Sequence, residues 1–501
     1  MRPGVLLRLA LAGSRTDTVR VVLTGLSAAL ATLAILAALT VLAIPTVLDG
    51  GSNVSPQYRN PLIAEAGLRV GVAATLVLLT IPVLVLAGQC ARLGAPARDR
   101  RLAAYRMAGA GPRQAVAIAA TEAALASGLG ALAGLGLHLV GRQLLGTPGA
   151  DGKLALPTDV LPPVWQLAVV VAGVPVLAGL IAMLLLRRVV LTPYGVVRRV
   201  RTRPPRPWAG LLILGGLGTA ALLPPLAQYL DRSGRSMPYE LFGLVVLVAE
   251  LAVTLGVIVG TGWISHVTGR LLHRFARRPA GLLAARRLTA DPWTGSRTLA
   301  ALLAAVLFGA FAAGLRIRMS TEFAAEAEYA RRSAEVSGLP YEPWDTTFYQ
   351  GAYDLVYLAL TIALVIAAGG LLVALAESIV SRRRAMAALV ATGVPRAVLG
   401  RALAWQTLTP AVAGIVLAAG TGITLQRGLY DREVSSGWGT VCREASPTDC
   451  VELPAVVRTV PLPLDDLAGF VGVALAVVLS LLLVNLLLLR TSTAVEELRA
   501  T

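Results

Sequence analysis

Two similar passages decide the fold of this chain. Residues 98–109 are Arg-Asp-Arg-Arg-Leu-Ala-Ala-Tyr-Arg-Met-Ala-Gly, and residues 382–393 are Arg-Arg-Arg-Ala-Met-Ala-Ala-Leu-Val-Ala-Thr-Gly. The second passage starts 284 positions after the first, and each one lies between two long apolar runs. A short basic segment that occurs twice between apolar runs predicts two equivalent halves within one membrane protein.

The apolar runs set the environment of the chain. Hydrophobic residues make up 56% of the 501 residues, and charged residues make up only 15%. An apolar run of about 18 residues or more is long enough to cross a bilayer as a helix. We predict ten such spans, at about 21–47, 70–91, 115–140, 164–186, 209–228, 241–264, 298–315, 355–377, 402–425 and 467–489.

The distribution of arginine predicts the orientation. Arginine is concentrated in alternate loops, at 92–113, 187–206, 265–297 and 382–401. The loops 316–354 and 427–466 each hold four Arg and seven Asp or Glu. Because positive loops stay in the cytoplasm, both termini are expected to be cytoplasmic, and the basic loops are expected to contact lipid headgroups. The net charge of +17 comes without an aromatic-basic binding motif, so no nucleic acid is expected.

The pattern predicts an all-α polytopic membrane protein with two parallel four-helix repeats and a central two-helix insert. The expected domains are 1–203 for the first repeat, 204–278 for the linker and insert, and 279–501 for the second repeat. An even number of spans separates the halves, which gives them the same orientation. The single lysine among 45 basic residues suggests a GC-rich genome, and hence a bacterial plasma membrane.

The repeated passages have a predictable local structure. Each is rich in helix-forming residues, and we expect the helices to end at Gly109 and Gly393. The chain then restarts as helix at Pro112 and Pro395, since proline suits a first helical turn. From the residues alone, each short helix either lies on the lipid headgroups or is presented to a cytoplasmic partner.

The first copy resembles the FtsX-like permease domain of ABC transporters. The residues that carry the resemblance are Arg100, Arg101, Ala104, Arg106, Gly109, Ala110, Gln114 and Glu122. The second copy keeps Arg383, Arg384, Ala388, Gly393, Pro395 and Arg396. It has Val390 in place of Arg106, and Gln406 or Trp405 in place of Glu122, depending on the alignment. The resemblance covers about 70–200 and 353–499.

The resemblance implies that both passages dock on a separate ABC-type ATPase, with two ATPase copies per permease. The docking residues would be Arg98, Arg100, Arg101, Tyr105, Arg106, Gly109, Arg382, Arg383, Arg384, Leu389, Gly393 and Arg396. The only lysine, Lys153, lies outside any phosphate-binding loop sequence. ATP and Mg²⁺ would therefore be bound by the partner. We predict no cofactor, metal ligand or catalytic residue in this chain, and no enzyme activity of its own.

Four polar residues lie in or beside predicted spans, at Glu122, Glu250, Glu377 and Gln406. Ionisable groups inside a membrane are costly and often functional. Glu122 lies near the cytoplasmic end of its span, where pairing with a nearby arginine is expected, and Glu377 lies one turn from Arg382, at the expected membrane interface. Glu250 lies near the middle of its span, where it serves either transport or a hydrogen bond that holds the insert in place.

Cys442 and Cys450 lie in a loop predicted to be outside the cytoplasm. A disulfide between them is expected there, and the alternative is two free thiols.

Three functions fit the sequence. The first is a permease subunit that couples ATP hydrolysis by a partner to export or extraction of an amphiphilic peptide, lipid or drug-like molecule. The second is a mechanical transmitter that signals to a partner outside the cytoplasm. The third is an ATP-independent secondary transporter, which would need Glu250 or Glu122 for proton coupling.

Overall fold

The protein is mostly helical. A computed structural model describes residues 15–45, 54–78, 80, 83, 107, 109, 111–190, 207–235, 239–341, 343, 346–437, 439–443 and 446–492. Within these residues the helices are α1 (Arg15–Leu42), α2 (Pro61–Ala64), α3 (Ala66–Leu78), α4 (Pro112–Leu144), α5 (Val164–Val190), α6 (Trp208–Arg232), α7 (Tyr239–Phe275), α8 (Pro279–Ala290), α9 (Pro292–Ser337), α10 (Thr347–Ala391), α11 (Arg396–Leu429) and α12 (Leu464–Ser492). The strands are β1 (Glu433–Ser436), β2 (Gly439–Arg443), β3 (Ser446–Leu453) and β4 (Val456–Thr459).

Nine helices in the described part of the chain are long and apolar enough to cross a membrane, namely α1, α4, α5, α6, α7, α9, α10, α11 and α12. They coincide with nine of the ten predicted spans. The remaining one, predicted at 70–91, overlaps α3, and most residues after Leu78 lie outside the described ones. The chain is therefore a multi-pass membrane protein.

Proline marks helix starts, and it is also tolerated within spans. It occupies the first helical turn at Pro61, Pro112, Pro279 and Pro292. Proline has no backbone N–H, but an N–H in the first turn would have no partner within the helix, so no hydrogen bond is lost. The helix α6 continues through Pro224 and Pro225 to Arg232, past the predicted end of its span at 228. Membrane helices tolerate internal proline because neighbouring groups can satisfy the freed carbonyls.

The chain divides into two compact units. Unit 1 comprises Met1–Thr202, Thr361–Gly400 and Leu483–Thr501, and unit 2 comprises Arg203–Leu360 and Arg401–Leu482. Both units combine segments that are distant in sequence. The predicted division at 203 and 278 follows the repeats instead, and it stays a prediction.

Close helix packing in unit 1 is between α1 and α4. A Cβ on Gly130 would overlap the carbonyl oxygen of Gly25, so only glycine permits this approach. Small residues at helix interfaces are the usual means of close packing in membranes. Further along the same helix pair, a Cβ on Gly134 would lie 2.6 Å from the carbonyl oxygen of Ala29.

Unit 2 contains an equivalent approach between α9 and α11. A Cβ on Gly422 would overlap the carbonyl oxygen of Leu307, and one on Gly414 would lie 2.9 Å from the side chain of Leu303. The helices α1 and α4 hold the first and third predicted spans of their half, and α9 and α11 hold the corresponding spans of the other half. This shared glycine-mediated packing supports the predicted repeat.

The four strands correct one feature of the all-α prediction. The strand β1 pairs with β4 and β2 pairs with β3, in both cases antiparallel, so that residues 433–459 form one long hairpin in two parts. The sequence predicts no strand in this loop. Its β-branched residues alternate with polar ones only over short stretches, which is a weak strand signal.

Candidate functional site

The second repeated passage forms a helix–turn–helix. The helix α10 continues without a break from its apolar part to Ala391, so the short helix predicted at 386–392 is the end of a 45-residue helix. Gly393 has φ of 91°, as required for a left-handed helix stop. The backbone N–H of Gly393 donates to the carbonyl oxygen of Val390, and that of Val394 donates to the carbonyl oxygen of Leu389, each at 3.0 Å. These two bonds form a Schellman motif, which fixes the turn before α11.

The first passage contains the matching turn. Gly109 has φ of 94°, close to the value at Gly393. The helix α4 starts at Pro112, and the side chain of Gln114 accepts a hydrogen bond of 3.0 Å from the backbone N–H of Gly111. This bond satisfies one of the free N–H groups at the helix start. Both halves therefore carry a left-handed glycine two or three residues before a proline, which is the first helical residue at Pro112 and directly precedes the helix at Pro395.

The structure describes only part of the predicted docking set. Arg98, Arg100, Arg101, Tyr105 and Arg106 lie outside the described residues. Arg382, Arg383 and Arg384 lie in α10, but their side chains are likewise outside the described part. Of the remainder, Leu389 is half-buried, and Arg396 is exposed as the first residue of α11.

Exposed residues surround both turns. Met107 is 85% exposed just before Gly109. In the second copy Ala391, Thr392 and Pro395 are exposed. Both turns therefore have exposed residues beside their glycines.

The structure describes the counterparts of Glu122 that the sequence leaves open. Glu122 is ten residues after the first residue of α4, Pro112, and Gln406 is ten residues after the first residue of α11, Arg396. Glu122 is buried and has an interaction partner. The Oε1 of Gln406 is buried without a hydrogen-bond partner among the described residues. Trp405 is 49% exposed, so the partly buried Gln406 is the residue that resembles Glu122 in its environment, and the alignment itself stays a prediction.

The other two intramembrane candidates differ in what the structure describes. Glu250 is half-buried in α7, away from both turns in sequence. Glu377 lies in α10, and its side chain is outside the described residues. Within the described part of the chain, no group of three or more His, Cys, Asp or Glu residues is arranged to hold a metal ion.

At the predicted outer end of unit 1 lies a cluster that we call the loop module, formed by residues 43–45, 54–69 and 145–163. Its centre is Arg69, which is only 3% exposed. The guanidinium donates to the carbonyl oxygens of Ile44, Ile63 and Ala64 at 3.0, 2.8 and 2.9 Å, and to the Ser55 hydroxyl at 2.7 Å. One side chain thus connects the end of α1 with the loop that follows it.

A second set of bonds ties the two loops of this module together. The Tyr58 hydroxyl donates to Asp159 Oδ1 at 2.7 Å, and burial together with this bond raises the pKa of Tyr58. On the surface, Arg59 Nη2 lies 2.8 Å from Asp151 Oδ1. The hydrogen bond from Arg59 lowers the pKa of Asp151 to about 2.

At the predicted outer end of unit 2 lies the ribbon module, formed by residues 316–337 of α9 and residues 430–461. Val434 and Val456 are buried against Ala325 of α9, and Tyr329 packs on the same cluster. Glu328 of α9 forms an ion pair of 2.7 Å with Arg458 of β4. The hairpin therefore lies along a helix that extends about 30 Å beyond residue 316.

The disulfide lies in the distal part of the hairpin. Cys442 and Cys450 are bonded, and they face each other across β2 and β3. Both residues are exposed, and their bond closes the end of the hairpin that projects furthest from β1 and β4.

A polar cluster below the ribbon module was not predicted from the sequence. The Tyr357 hydroxyl of α10 donates to Asp466 Oδ2 of α12 at 3.0 Å, and Arg316 of α9 lies 3.8 Å from Asp466. The Arg316 guanidinium also lies 5.1 Å from the centre of the Tyr357 ring. The only sequence signal was that each residue borders an apolar run.

A known protein family matches both of the segments that contain the repeated passages. The family model described as FtsX-like permease C-terminal matches residues 70–192 and 357–445, which together are less than half of the chain. Each matched segment contains one of the two glycine turns. No curated protein matches the chain.

Proposed function

We propose that this chain, whose two matched segments belong to the FtsX-like permease family, couples ATP hydrolysis by a separate ATPase to export or extraction of an amphiphilic substrate. The match to this family supports the role of a permease-type membrane subunit of an ABC transporter. The observation that carries the coupling proposal is the recurrence of one turn, with φ of 94° at Gly109 and 91° at Gly393. Both termini would face the cytoplasm of a bacterial cell.

The proposed partner binds both turns. Two equivalent turns in one chain call for two copies of the ATPase, which would hold the ATP and Mg²⁺. Closure of the ATPase pair would push on both turns. The Schellman motif at Gly393 joins α10 to α11 in a short, hydrogen-bonded connection, so a push there moves both helices.

The test replaces one exposed residue beside each turn. Met107→Glu and Ala391→Glu place a charge on a docking surface without removing a buried contact. Each single variant should weaken association at its own turn by about tenfold or more, leaving one ATPase copy per permease. The double variant should co-purify with none and should lose transport-linked ATP hydrolysis.

The matched control is Ser435→Glu, an exposed position on β1 that is far from both turns in sequence. It should retain two ATPase copies. Retention of both copies by the Met107→Glu/Ala391→Glu variant would contradict the docking proposal.

One observation favours a second candidate, mechanical transmission to an external partner. The helix α9 runs unbroken for 46 residues from its apolar part into the ribbon module. Movement of its membrane part would therefore be carried to residues 433–459. Reconstituted vesicles distinguish the two functions, because substrate transport by permease and ATPase alone would exclude transmission as the only role.

A further inference from the structure

The turn between α7 and α8 has a concentrated positive charge. Arg270, Arg274, Arg277, Arg278 and Arg286 are all exposed. No Asp or Glu occurs between residues 251 and 290. Among the described residues, none of these five arginines forms a salt bridge. Arg274 lies 6.0 Å from the centre of the Phe275 ring, and no acidic neighbour among the described residues neutralises the charge of the five.

Apolar side chains are exposed in the same segment. Phe275 is 73% exposed, Leu271 51% and Leu282 36%. Phe275 is also the last residue of the candidate span Val248–Phe275. This apolar stretch extends past the span predicted at 241–264, so the arginines and these apolar side chains lie at its predicted cytoplasmic end, where lipid headgroups are expected.

Packing of α8 holds this surface in place. A Cβ on Gly269 of α7 would lie 2.8 Å from the Cβ of Leu288, and one on Gly281 of α8 would lie 2.9 Å from the Cβ of Ala276. The helix α8 therefore folds back along the last turns of α7. Its buried face includes Ala284 and Ala285, and its other face leaves Leu282 and Arg286 exposed.

From this arrangement we propose that the α7–α8 turn is a binding site for anionic phospholipids of the surrounding bilayer. The guanidinium groups bind the lipid phosphate, for which their paired N–H donors are well suited. Leu271, Phe275 and Leu282 contact the upper part of the acyl chains. An acidic protein surface would be attracted by the same charge, but it would leave three large apolar side chains next to water, whereas a lipid covers them.

The test uses the full chain purified in mild detergent with a mixture of phosphatidylglycerol and phosphatidylcholine. Bound lipids are counted by native mass spectrometry. The wild type should retain phosphatidylglycerol selectively, and rising salt should release it. The triple variant Arg274→Gln/Arg277→Gln/Arg278→Gln should bind it more weakly, by about fivefold for each arginine removed at low salt.

The matched control removes the same charge elsewhere, in Arg235→Gln/Arg331→Gln/Arg432→Gln, three exposed arginines of unit 2. It should bind phosphatidylglycerol as the wild type does. Equal retention by the two triple variants would overturn the proposal, as would salt-insensitive retention by the wild type. Loss of ATPase association without loss of lipid in the first variant would assign the surface to the protein partner instead.

Discussion

The loop module and the ribbon module occupy the same predicted position in their respective halves, yet they are built differently. The loop module closes on itself around the buried side chain of Arg69. The ribbon module is an extension, in which a hairpin packs on a helix that continues from a span. A tyrosine that donates to an aspartate nevertheless occurs in or next to each, namely Tyr58 to Asp159 within the loop module and Tyr357 to Asp466 just below the ribbon module.

The difference shows which features the two halves share. The glycine turns and the close approach of the first and third spans recur in both. The predicted outer parts differ: the ribbon module contains 22 residues of a helix that continues from a span, whereas the loop module is built mainly from the loops that follow its helices. If both turns receive the same push, the ribbon module is the part that would transmit movement furthest, and the loop module would act as a fixed cap.

The largest effect is expected at Arg69. Arg69→Met retains the apolar stem of the side chain but leaves the buried carbonyl oxygens of Ile44 and Ile63 without their donor, at a cost of about 3–5 kcal/mol in the free energy of unfolding. Chemical denaturation in detergent measures this cost. Arg59→Met is the control, because its partner Asp151 is solvated and stability should barely change. Equal losses in the two variants would show that Arg69 is not the centre of the loop module.

A smaller effect is expected at the disulfide. The double variant Cys442→Ser/Cys450→Ser removes a cross-link between residues eight positions apart. Its loss should lower the local stability of the distal hairpin by about 2–3 kcal/mol. Amide hydrogen exchange should become faster in β2 and β3 and stay unchanged in the loop module. Unchanged exchange in β2 and β3 would mean that strand pairing alone holds the distal hairpin.

Next in size is the contact between the hairpin and α9. Val434→Ala and Val456→Ala should each cost about 1–2 kcal/mol, because both side chains are buried against Ala325. Hydrogen exchange of β1 and β4 measures the loss. The control is Val457→Ala, next to Val456 on β4 but 57% exposed, which should change the free energy of unfolding by less than about 0.5 kcal/mol. A larger loss at Val457 than at Val434 would reverse the assigned packing face.

The smallest effect concerns the surface ion pair of the loop module. The pKa of Asp151 is about 2, below its ordinary value of 3.8, because Arg59 donates to its carboxylate. The folded state therefore binds the Asp151 proton less readily than the unfolded state. The Arg59–Asp151 pair therefore contributes its full stabilisation of the folded state above about pH 4, and this contribution is lost as the pH falls towards 2.

A carboxyl titration of Asp151 by nuclear magnetic resonance checks this expectation. In Arg59→Gln the pKa of Asp151 should rise towards about 3.9. An unchanged pKa would show that the local backbone, and not Arg59, holds the carboxylate in its charged form.

The sequence predicted the features that depend on neighbouring residues. Glycine followed by proline predicted the stops at Gly109 and Gly393, which have the expected positive φ. The pairing of Cys442 with Cys450 was expected from their short separation and predicted location, and the bond is present. The length of α10 was underestimated, because nothing in residues 378–391 forces the helix to break, and arginine and alanine continue it readily.

What the sequence determined by itself is therefore the apolar spans and the two local turns, which follow from short-range chemistry, while the orientation across the bilayer stays a prediction from charge. The tertiary structure alone decided the buried position of Arg69, the pairing of Tyr58 with Asp159 and of Tyr357 with Asp466, and the packing of the hairpin on α9. Those partners lie 101 and 109 residues apart in the two tyrosine pairs. No local pattern encodes such contacts, since they form only when helices distant in sequence pack together.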